Sequence, residues 1–498
     1  NMARVKAILE DVIFAPSHFQ EAFLFWEMVG VWLARVASTP DGQTISGSTR
    51  FDPPQLPLPQ TPPKAYQCLP EIILETYASF FMFAALYWEK FSDQVHTDIM
   101  NSLVTLLASP QYVKNPHIRV KMVQVLTVLM PRNKGGRLQP TRLSPFDSNF
   151  VVSNLGPALT HLYCDVERTG SASQFYDRLN ARHELSSILV FLWTDRPGHK
   201  EAIVSYWDLH PESFKSFADK LLNDSIFLLD EGLSKLFESR GAQQRLESGV
   251  SSESERRELK ETMDRAARQT VSYMVLLKES LRIFSMIALN HPRLFMNADM
   301  HERLATSLNY CLYQVHGPRR NELAFTNQEK YQFEPAWVVD KLCSSILSFA
   351  TFDKTFIDFL VRDTRSYSEE LYTNAAAFIE RSMAAGTGSG SEFEFKSSAW
   401  KSMLAVAKEH TQQVEEYEDQ LGDIPDEFLD PLMATLMTDP VILPSSRITL
   451  DRQVIERALL ADPIDPYNRS PLTADQLIPD TELKAKIDAF IAEKRKKK

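Results

Sequence analysis

Apolar side chains recur at helical spacing along most of the chain. Residues 117–130 show the pattern most clearly, because apolar positions three and four apart share one face of a helix. These positions are Ile118, Met122, Val125, Leu126 and Leu129. Residues 217–236 and 271–289 repeat the pattern, and no alternating strand pattern interrupts it. Such helices must bury their apolar faces against neighbours, so we predict a stacked, armadillo-like α-helical array over residues 1–385.

Three segments break the helical pattern. Six prolines between positions 51 and 63 predict an extended, exposed loop. Residues 239–258 are rich in Ser, Glu and Arg, and form either a mobile loop or the solvated start of a long helix. Residues 386–393 read Gly-Thr-Gly-Ser-Gly-Ser-Glu-Phe, which indicates a flexible linker or an engineered join in place of a native loop. We place the linker at residues 386–399.

The last part of the chain follows a different pattern. A connecting helix is predicted over residues 400–423. Within residues 424–498, two short apolar runs flank Pro-Ser-Ser-Arg at positions 444–447 and predict a β-hairpin. A short helix after Asp451 and a final helix from about position 480 complete what we predict to be a small α+β domain.

Charge and cysteine content narrow the functional classes. The formal net charge of the 498-residue chain is −11, which argues against a nucleic-acid-binding surface spread over the molecule. The basic tail at residues 494–498 is interpreted as a solvated terminus, with a nuclear localisation signal as the alternative. Four scattered cysteines predict buried free thiols in a reducing compartment. They are Cys68, Cys164, Cys311 and Cys343. We therefore expect a cytoplasmic protein, with the nucleus as a second compartment.

Membrane insertion and several enzyme classes find no support in the sequence. The most apolar stretch, residues 72–88, contains Glu75 and directly follows Glu71. A carboxylate is costly in lipid, so this stretch predicts a buried helix. The chain has no phosphate-binding loop and no nucleophile elbow, and its two His-Glu pairs lack the second histidine of a helical zinc protease. We predict no cofactor and no membrane partner.

Several ordered motifs make residues 424–498 resemble a U-box. They are Asp430-Pro431-Leu432, Leu436-Met437, Asp439-Pro440, Asp451-Arg452, Asp465-Pro466-Tyr467-Asn468-Arg469 and Ser470-Pro471-Leu472-Thr473. The upstream chain is similar to the core of the ubiquitin-chain elongation factors known as ubiquitin fusion degradation protein 2. That similarity rests on residues 115–119, 174–177, 223–231, 327–335 and 365–368. Members of the family are usually longer at the N-terminus, so we expect this chain to be a fragment.

The U-box resemblance implies a RING-like fold without zinc. A RING domain holds two loops around two zinc ions with Cys and His ligands, whereas residues 425–498 contain neither residue type. Hydrogen bonds, ion pairs and packing must then hold the loops, and short polar side chains suit that purpose. The candidates are Asp439, Ser446, Asp451, Asp465 and Asn468.

The resemblance also implies the contacts with a ubiquitin-conjugating enzyme. Leu432 matches the family's apolar contact in the first loop, and Pro466 and Tyr467 match those in the second. Burial in the core is the alternative for Leu432 and Tyr467. The resemblance places Asn468 on the same contact surface for the conjugating enzyme. Arg469 matches the arginine that bridges the conjugating enzyme and its linked ubiquitin, and its planar guanidinium suits that role. A surface arginine paired with a nearby Asp is the alternative.

The family implies a ubiquitin-protein ligase that extends chains on ubiquitinated substrates for proteasomal degradation. It would promote transfer from the cysteine of a loaded conjugating enzyme to a lysine, without a covalent intermediate on itself. The implied partners are a conjugating enzyme, ubiquitin, ubiquitinated substrates and the AAA ATPase valosin-containing protein. The ligase itself is expected to be a monomer. A non-catalytic helical-repeat adaptor that binds ubiquitin-pathway components is the alternative.

Overall fold

The computed structural model describes most of the chain. The described residues are 16–45, 47, 51–87, 97–130, 144–166, 174–249, 252–296, 298–323, 328–385, 393–421, 424–432, 435–461 and 464–496. Internal contacts divide the chain into a first unit, residues 1–403, and a second unit, residues 404–498.

The first unit is helical. Its helices are α1 (Pro16–Ser38), α2 (Lys64–Gln67), α3 (Glu71–Tyr87), α4 (Thr97–Leu107), α5 (Pro116–Leu129), α6 (Asn149–Asp165), α7 (Gln174–Asp195), α8 (Pro197–Leu209), α9 (Pro211–Glu247), α10 (Glu253–Asn290), α11 (Ala298–His316), α12 (Arg320–Leu323), α13 (Pro335–Phe352), α14 (Phe356–Arg362) and α15 (Glu369–Ala385). Helix α16 (Ser397–Leu421) begins in this unit and ends in the second. None of the described residues up to position 403 lies in a strand, which confirms the predicted helical class.

Capping residues set where the helices begin. The Asn115 side chain accepts a hydrogen bond from the His117 N–H at 3.0 Å, and Pro116 occupies the first position of α5, where no N–H is required. Ser148 caps α6 in the same way, through the Val151 N–H at 3.3 Å. The start of each of these helices is therefore determined locally.

The two longest helices, α9 and α10, span 37 and 38 residues and pack along each other. Residues 239–247 complete α9 and residues 253–258 begin α10, so most of the polar segment predicted as loop or helix is helical. An aromatic cluster around Phe295 packs beside them. The Phe295 ring lies 4.9 Å from Phe214 and 5.3 Å from Phe284, in edge-to-face geometry.

The proline-rich segment is extended, but it is not fully exposed. Phe51 and Leu58 are buried, and the Gln111 amide donates to the carbonyls of Leu58 and Pro59 at 3.4 and 3.2 Å. The prediction of an exposed loop is wrong at these positions, because the apolar side chains of Phe51 and Leu58 are buried.

The cysteines differ in burial. Cys311 and Cys343 are buried, Cys164 is half-buried and Cys68 is exposed, so the expectation of a buried thiol is wrong for Cys68. Burial raises the pKa of the Cys311 thiol to about 12. Helix α3 covers most of the apolar stretch at 72–88, and no described helix is long and apolar enough to cross a membrane.

The backbone just before α16 is fastened to the first unit. The buried Asp340 carboxylate accepts hydrogen bonds from the Phe395 N–H at 3.0 Å and the Glu394 N–H at 3.2 Å. Burial raises the pKa of Asp340 to about 6, although Lys341 and the two N–H groups act to lower it. The predicted linker therefore includes a bound segment at residues 393–396, and its residues 386–392 lie outside the described ones.

Helix α16 begins at Ser397, slightly before the predicted start at Trp400. The Trp400 ring stacks on Tyr372 with centroids 5.3 Å apart, and its indole N–H donates to the Tyr372 carbonyl at 3.2 Å. The last residues of the predicted connecting helix, 422–423, lie outside the described residues.

The second unit contains a small sheet and two further helices. Its elements are β1 (Pro440–Ile442), β2 (Thr449–Asp451), α17 (Arg452–Ala461), β3 (Ile478–Pro479) and α18 (Thr481–Lys496). The sheet is antiparallel in the order β2-β1-β3, with Val441 opposite both Leu450 and Pro479. The hairpin and both helices were predicted, whereas β3 was not. One core forms around α17 and another around α18.

Two glycines in the first unit provide a test of helix packing. A Cβ at Gly156 in α6 would overlap Ile203 of α8, whereas nothing lies within 4 Å of a Cβ at Gly241 in α9. We expect Gly156→Ala to destabilise the chain by about 1–3 kcal/mol through overpacking. Gly241→Ala should stabilise it by up to about 1 kcal/mol, because alanine favours helix. Urea unfolding of both variants measures the difference, and equal shifts in the midpoint would contradict this packing.

Candidate functional site

Three segments of the second unit carry the candidate site. The first loop is residues 429–436, the hairpin turn is residues 443–448 and the second loop is residues 464–471. Isolated bridges close both loops at their bases, Leu429 with Leu436 and Ile464 with Pro471. Residues 433–434 of the first loop lie outside the described residues.

Two buried carboxylates brace the first loop. Asp430 is fully buried, and its carboxylate accepts from the Leu432 N–H at 2.9 Å and the Asp451 N–H at 2.7 Å. Asp451 in turn accepts from the Thr438 N–H, the Thr438 hydroxyl at 3.0 Å and the Asp439 N–H at 3.2 Å. These bonds tie the loop and the turn that follows it to β2.

A third buried carboxylate braces the second loop. The fully buried Asp465 accepts from the Tyr467 N–H at 2.9 Å, the Ser446 N–H at 3.2 Å and the Ser445 hydroxyl at 3.3 Å. Burial acts to raise the pKa of Asp465, but these hydrogen bonds together hold it below its ordinary value. The second loop and the hairpin turn are therefore joined by one ionised group.

Asn468 strengthens the same junction. Its side-chain carbonyl accepts from the Ser470 N–H at 3.0 Å and from the Ser470 hydroxyl at 2.7 Å, and its amide donates to the Ser445 hydroxyl. Ser445 and Ser470 share a further hydrogen bond of 2.5 Å. The backbone on both sides of Arg469 is held by these contacts.

The residues predicted to contact a partner lie on the outside of the braced loops. Leu432 and Tyr467 are 42% and 41% exposed, so they do not belong to the core. Pro466 and Arg469 are also exposed. Arg469 forms no ion pair with any residue that the structure describes, in contrast to the alternative of a pair with a nearby Asp. The described parts of the two loops thus present apolar side chains and one guanidinium to solvent.

The structure assigns different roles to the predicted bracing residues. Asp451 and Asp465 are buried acceptors, whereas the Asp439 carboxylate is exposed and pairs with Arg452 at 2.6 Å. Ser446 joins the network through its backbone N–H, and the hydroxyl contact to Asp465 comes from Ser445.

Sequence reasoning missed Asp430, Thr438 and Ser445 as bracing residues. A signal for Asp430 was present, because Asp430-Pro431 repeats the Asp-Pro pair that opens the second loop. In both loops the Asp side chain accepts from the N–H two residues on, at Leu432 and Tyr467. This is an Asx turn, a local motif that an Asp-Pro sequence favours.

The loops offer no alternative bracing by metal ligands of the RING type, since residues 425–498 contain neither Cys nor His. Across the described parts of the chain, no three His, Cys, Asp or Glu side chains are grouped so that they could hold a metal ion.

Two family models match this chain. The model described as the ubiquitin elongating factor core matches residues 1–394, and the model described as the U-box domain matches residues 424–496. The first match covers most of the chain. The chain therefore belongs to the family defined by the ubiquitin elongating factor core, with a U-box domain at its C-terminal end.

Curated relatives agree with this assignment. A probable ubiquitin conjugation factor E4 of Arabidopsis thaliana is 36% identical over 96% of this chain and 44% of its own length. The E4 ubiquitin-protein ligase UFD2 of Saccharomyces cerevisiae is 33% identical over 87% of this chain and 45% of its own length. The ubiquitin conjugation factor E4 of Schizosaccharomyces pombe is 30% identical over 98% and 47%. The chain spans less than half the length of these relatives.

The bracing carboxylates can be tested with a matched pair of variants. Asp451→Ala should remove the shared acceptor of the Thr438 and Asp439 N–H groups, at about 1.5–3 kcal/mol for each hydrogen bond to a charged group. Asp439→Ala removes only an exposed ion pair and should change stability by about 1 kcal/mol or less. Hydrogen exchange of residues 424–496 in the whole chain measures both effects. Similar protection in the two variants would show that Asp451 is not a brace.

Proposed function

We propose that the chain is a ubiquitin-protein ligase that acts as a ubiquitin-chain elongation factor. In this proposal the U-box domain recruits a ubiquitin-loaded conjugating enzyme and promotes ubiquitin transfer to a lysine of a substrate that already carries ubiquitin. The observation that carries the proposal is the exposure of Leu432, Tyr467 and Arg469 on loops braced by buried carboxylates, in a chain of this family.

The two loops supply the docking surface for the conjugating enzyme. Leu432 of the first loop and Pro466 and Tyr467 of the second loop form the apolar contacts, and Asn468 flanks them. Because Asp430 and Asp465 hold the loop backbones in place, little conformational entropy is lost on binding. A small, stiff surface of this kind suits the transient interface that repeated transfer requires.

Arg469 contributes to the transfer step without forming a covalent bond. Its guanidinium carries five donors and bridges carbonyl oxygens of the conjugating enzyme and of the linked ubiquitin. The acceptor lysine amine attacks the thioester carbonyl, an isopeptide bond forms, and the cysteine thiolate of the conjugating enzyme leaves. Restricting the linked ubiquitin to one arrangement raises the rate of that attack.

Further parts of the proposal follow from family membership. The proposed division is a helical core at residues 1–385, a linker at 386–399, a connecting helix at 400–423 and a U-box at 424–498. We propose that the helical core is the scaffold for ubiquitinated substrates, that the ligase acts as a monomer with valosin-containing protein as a partner, and that it works in the cytoplasm and nucleus. Proteasomal degradation of the extended substrates is part of the same proposal.

The Arg469→Ala variant distinguishes a ligase from a non-catalytic adaptor. We expect discharge of the thioester-linked ubiquitin to lysine to fall by about tenfold or more, because the linked ubiquitin is no longer held. Binding of the unloaded conjugating enzyme should change by less than about twofold. Arg469→Lys, which keeps the charge but loses the planar fork, should recover only part of the rate. Unchanged discharge with both proteins bound would instead support a non-catalytic adaptor.

Leu432→Ala tests the docking surface. Removing this exposed side chain should weaken binding of the conjugating enzyme by about tenfold, through loss of apolar burial at the interface. The unfolding midpoint should stay unchanged, because Leu432 is outside both cores. Ile478→Ala is the matched control, since Ile478 is 43% exposed but lies outside both loops. A shared loss of binding in the two variants would contradict the assignment.

A further inference from the structure

Two arginines of the second unit have an unusual backbone conformation. Among the described residues other than glycine, three have positive φ: Gln332 at 53°, Arg447 at 60° and Arg469 at 59°. The left-handed region is unfavourable for residues that carry a Cβ, and glycine is the residue that adopts it without strain. An arginine at such a position carries backbone strain that glycine would avoid, which makes its side chain a candidate for a functional contact.

Arg447 and Arg469 close two similar turns. The Arg447 N–H donates to the Leu443 carbonyl at 2.9 Å, and the Arg469 N–H donates to the Asp465 carbonyl at 2.8 Å. Each arginine is thus the fourth residue after its acceptor and ends its turn in the left-handed conformation. The same backbone conformation therefore places one guanidinium at the end of the hairpin turn and another near the end of the second loop.

The two turns are fastened to each other. Asp465 of the second loop accepts from the Ser446 N–H and the Ser445 hydroxyl of the hairpin turn. Ser445 also bonds to Ser470, the residue that follows Arg469. Arg447 directly follows Ser446, so both arginines are next to residues of one hydrogen-bonded junction. The junction fixes the backbone from which both side chains project.

No acidic residue that the structure describes neutralises either guanidinium. Arg447 and Arg469 are exposed, and neither forms an ion pair with a residue in the described part of the chain. By contrast, Arg452 of the same unit pairs with Asp439 at 2.6 Å. Exposed, unpaired guanidinium groups on a stiff support suit recognition of carboxylates or backbone carbonyls.

We propose that Arg447 is a second cationic contact for the ubiquitin-loaded conjugating enzyme, on the hairpin turn that is hydrogen-bonded to the loop carrying Arg469. The guanidinium of Arg447 binds a carboxylate or a group of carbonyl oxygens on the loaded enzyme. This inference rests on the proposed function and extends its interface from the two loops to the hairpin turn. Arg447 acts on binding of the loaded enzyme, whereas Arg469 acts on the transfer rate.

Arg447→Gly in the whole chain tests the inference without endangering the fold. Glycine favours the left-handed conformation, so the unfolding midpoint should stay the same or rise. Single-turnover discharge is measured at increasing concentrations of loaded conjugating enzyme. We expect the half-saturating concentration to rise about threefold, as for loss of one exposed charge contact, with the saturating rate within about twofold of the parent. About 0.5 M salt should largely abolish the difference.

Two control variants sharpen the comparison. Arg447→Lys keeps the charge but loses the planar fork, so its half-saturating concentration should lie between that of the parent and that of Arg447→Gly. Arg256→Ala removes an exposed positive charge from α10 and should leave the discharge curve unchanged. An equal effect of Arg256→Ala would mean that net charge, and not a contact at the hairpin turn, is responsible, and would overturn the inference.

The outcomes distinguish this inference from the proposed function. If Arg447→Gly leaves the half-saturating concentration unchanged while Arg469→Ala loses discharge, the role of Arg447 is wrong and the ligase function stands. If neither variant alters discharge, the proposed function fails together with the inference. A lower unfolding midpoint in Arg447→Gly would also overturn the inference, because the arginine would then be structural.

Discussion

Buried aspartates that accept backbone N–H groups hold the functional end of this protein together. Asp430 joins the first loop to β2, and Asp451 at the end of β2 binds the turn that follows that loop. Asp465 joins the second loop to the hairpin turn. A buried carboxylate is expensive unless its oxygens are saturated with donors, and here the backbone supplies most of them. Three buried aspartate side chains thus perform the bracing that two zinc ions perform in a RING domain.

This bracing explains why apolar side chains can remain exposed at the candidate site. Leu432 and Tyr467 each lie two residues after an Asp whose carboxylate accepts their own backbone N–H. The hydrogen bond holds the backbone of the residue while its side chain points away from the core. A loop that is stiff before binding loses less entropy when a partner docks, so a small surface is sufficient. The same principle places the Arg469 guanidinium, whose backbone is held on both sides.

Local sequence patterns predicted much of the fold, because helix periodicity, capping and a short hairpin are local properties. Helix α5 began one residue from its predicted start, and the hairpin and α18 formed as expected. Strand β3 was missed because two residues carry no periodic signal. The burial of Phe51 and the exposure of Cys68 were also missed, since both depend on which distant helices pack nearby.

The candidate site shows a similar division between local and distant information. The exposed contact residues could be assigned through resemblance to a family, and Asp465 through the turn chemistry of short polar side chains. The acceptor role of Asp430 toward Asp451 could not be predicted, because those residues lie 21 positions apart and only the fold brings them together. The left-handed backbone conformation of Arg447 could not be predicted either, since arginine gives no sequence signal for positive φ.

The central claim is that a carboxylate-braced U-box, acting without metal, drives extension of ubiquitin chains. The most direct measurement is a reconstituted extension reaction on a substrate that already carries one ubiquitin, with a panel of conjugating enzymes and a strong zinc chelator. The account predicts that the whole chain forms polyubiquitin equally well with and without chelator, and that deletion of residues 424–498 abolishes it. Polyubiquitin formation by the deleted chain, or its loss on chelation, would contradict the account.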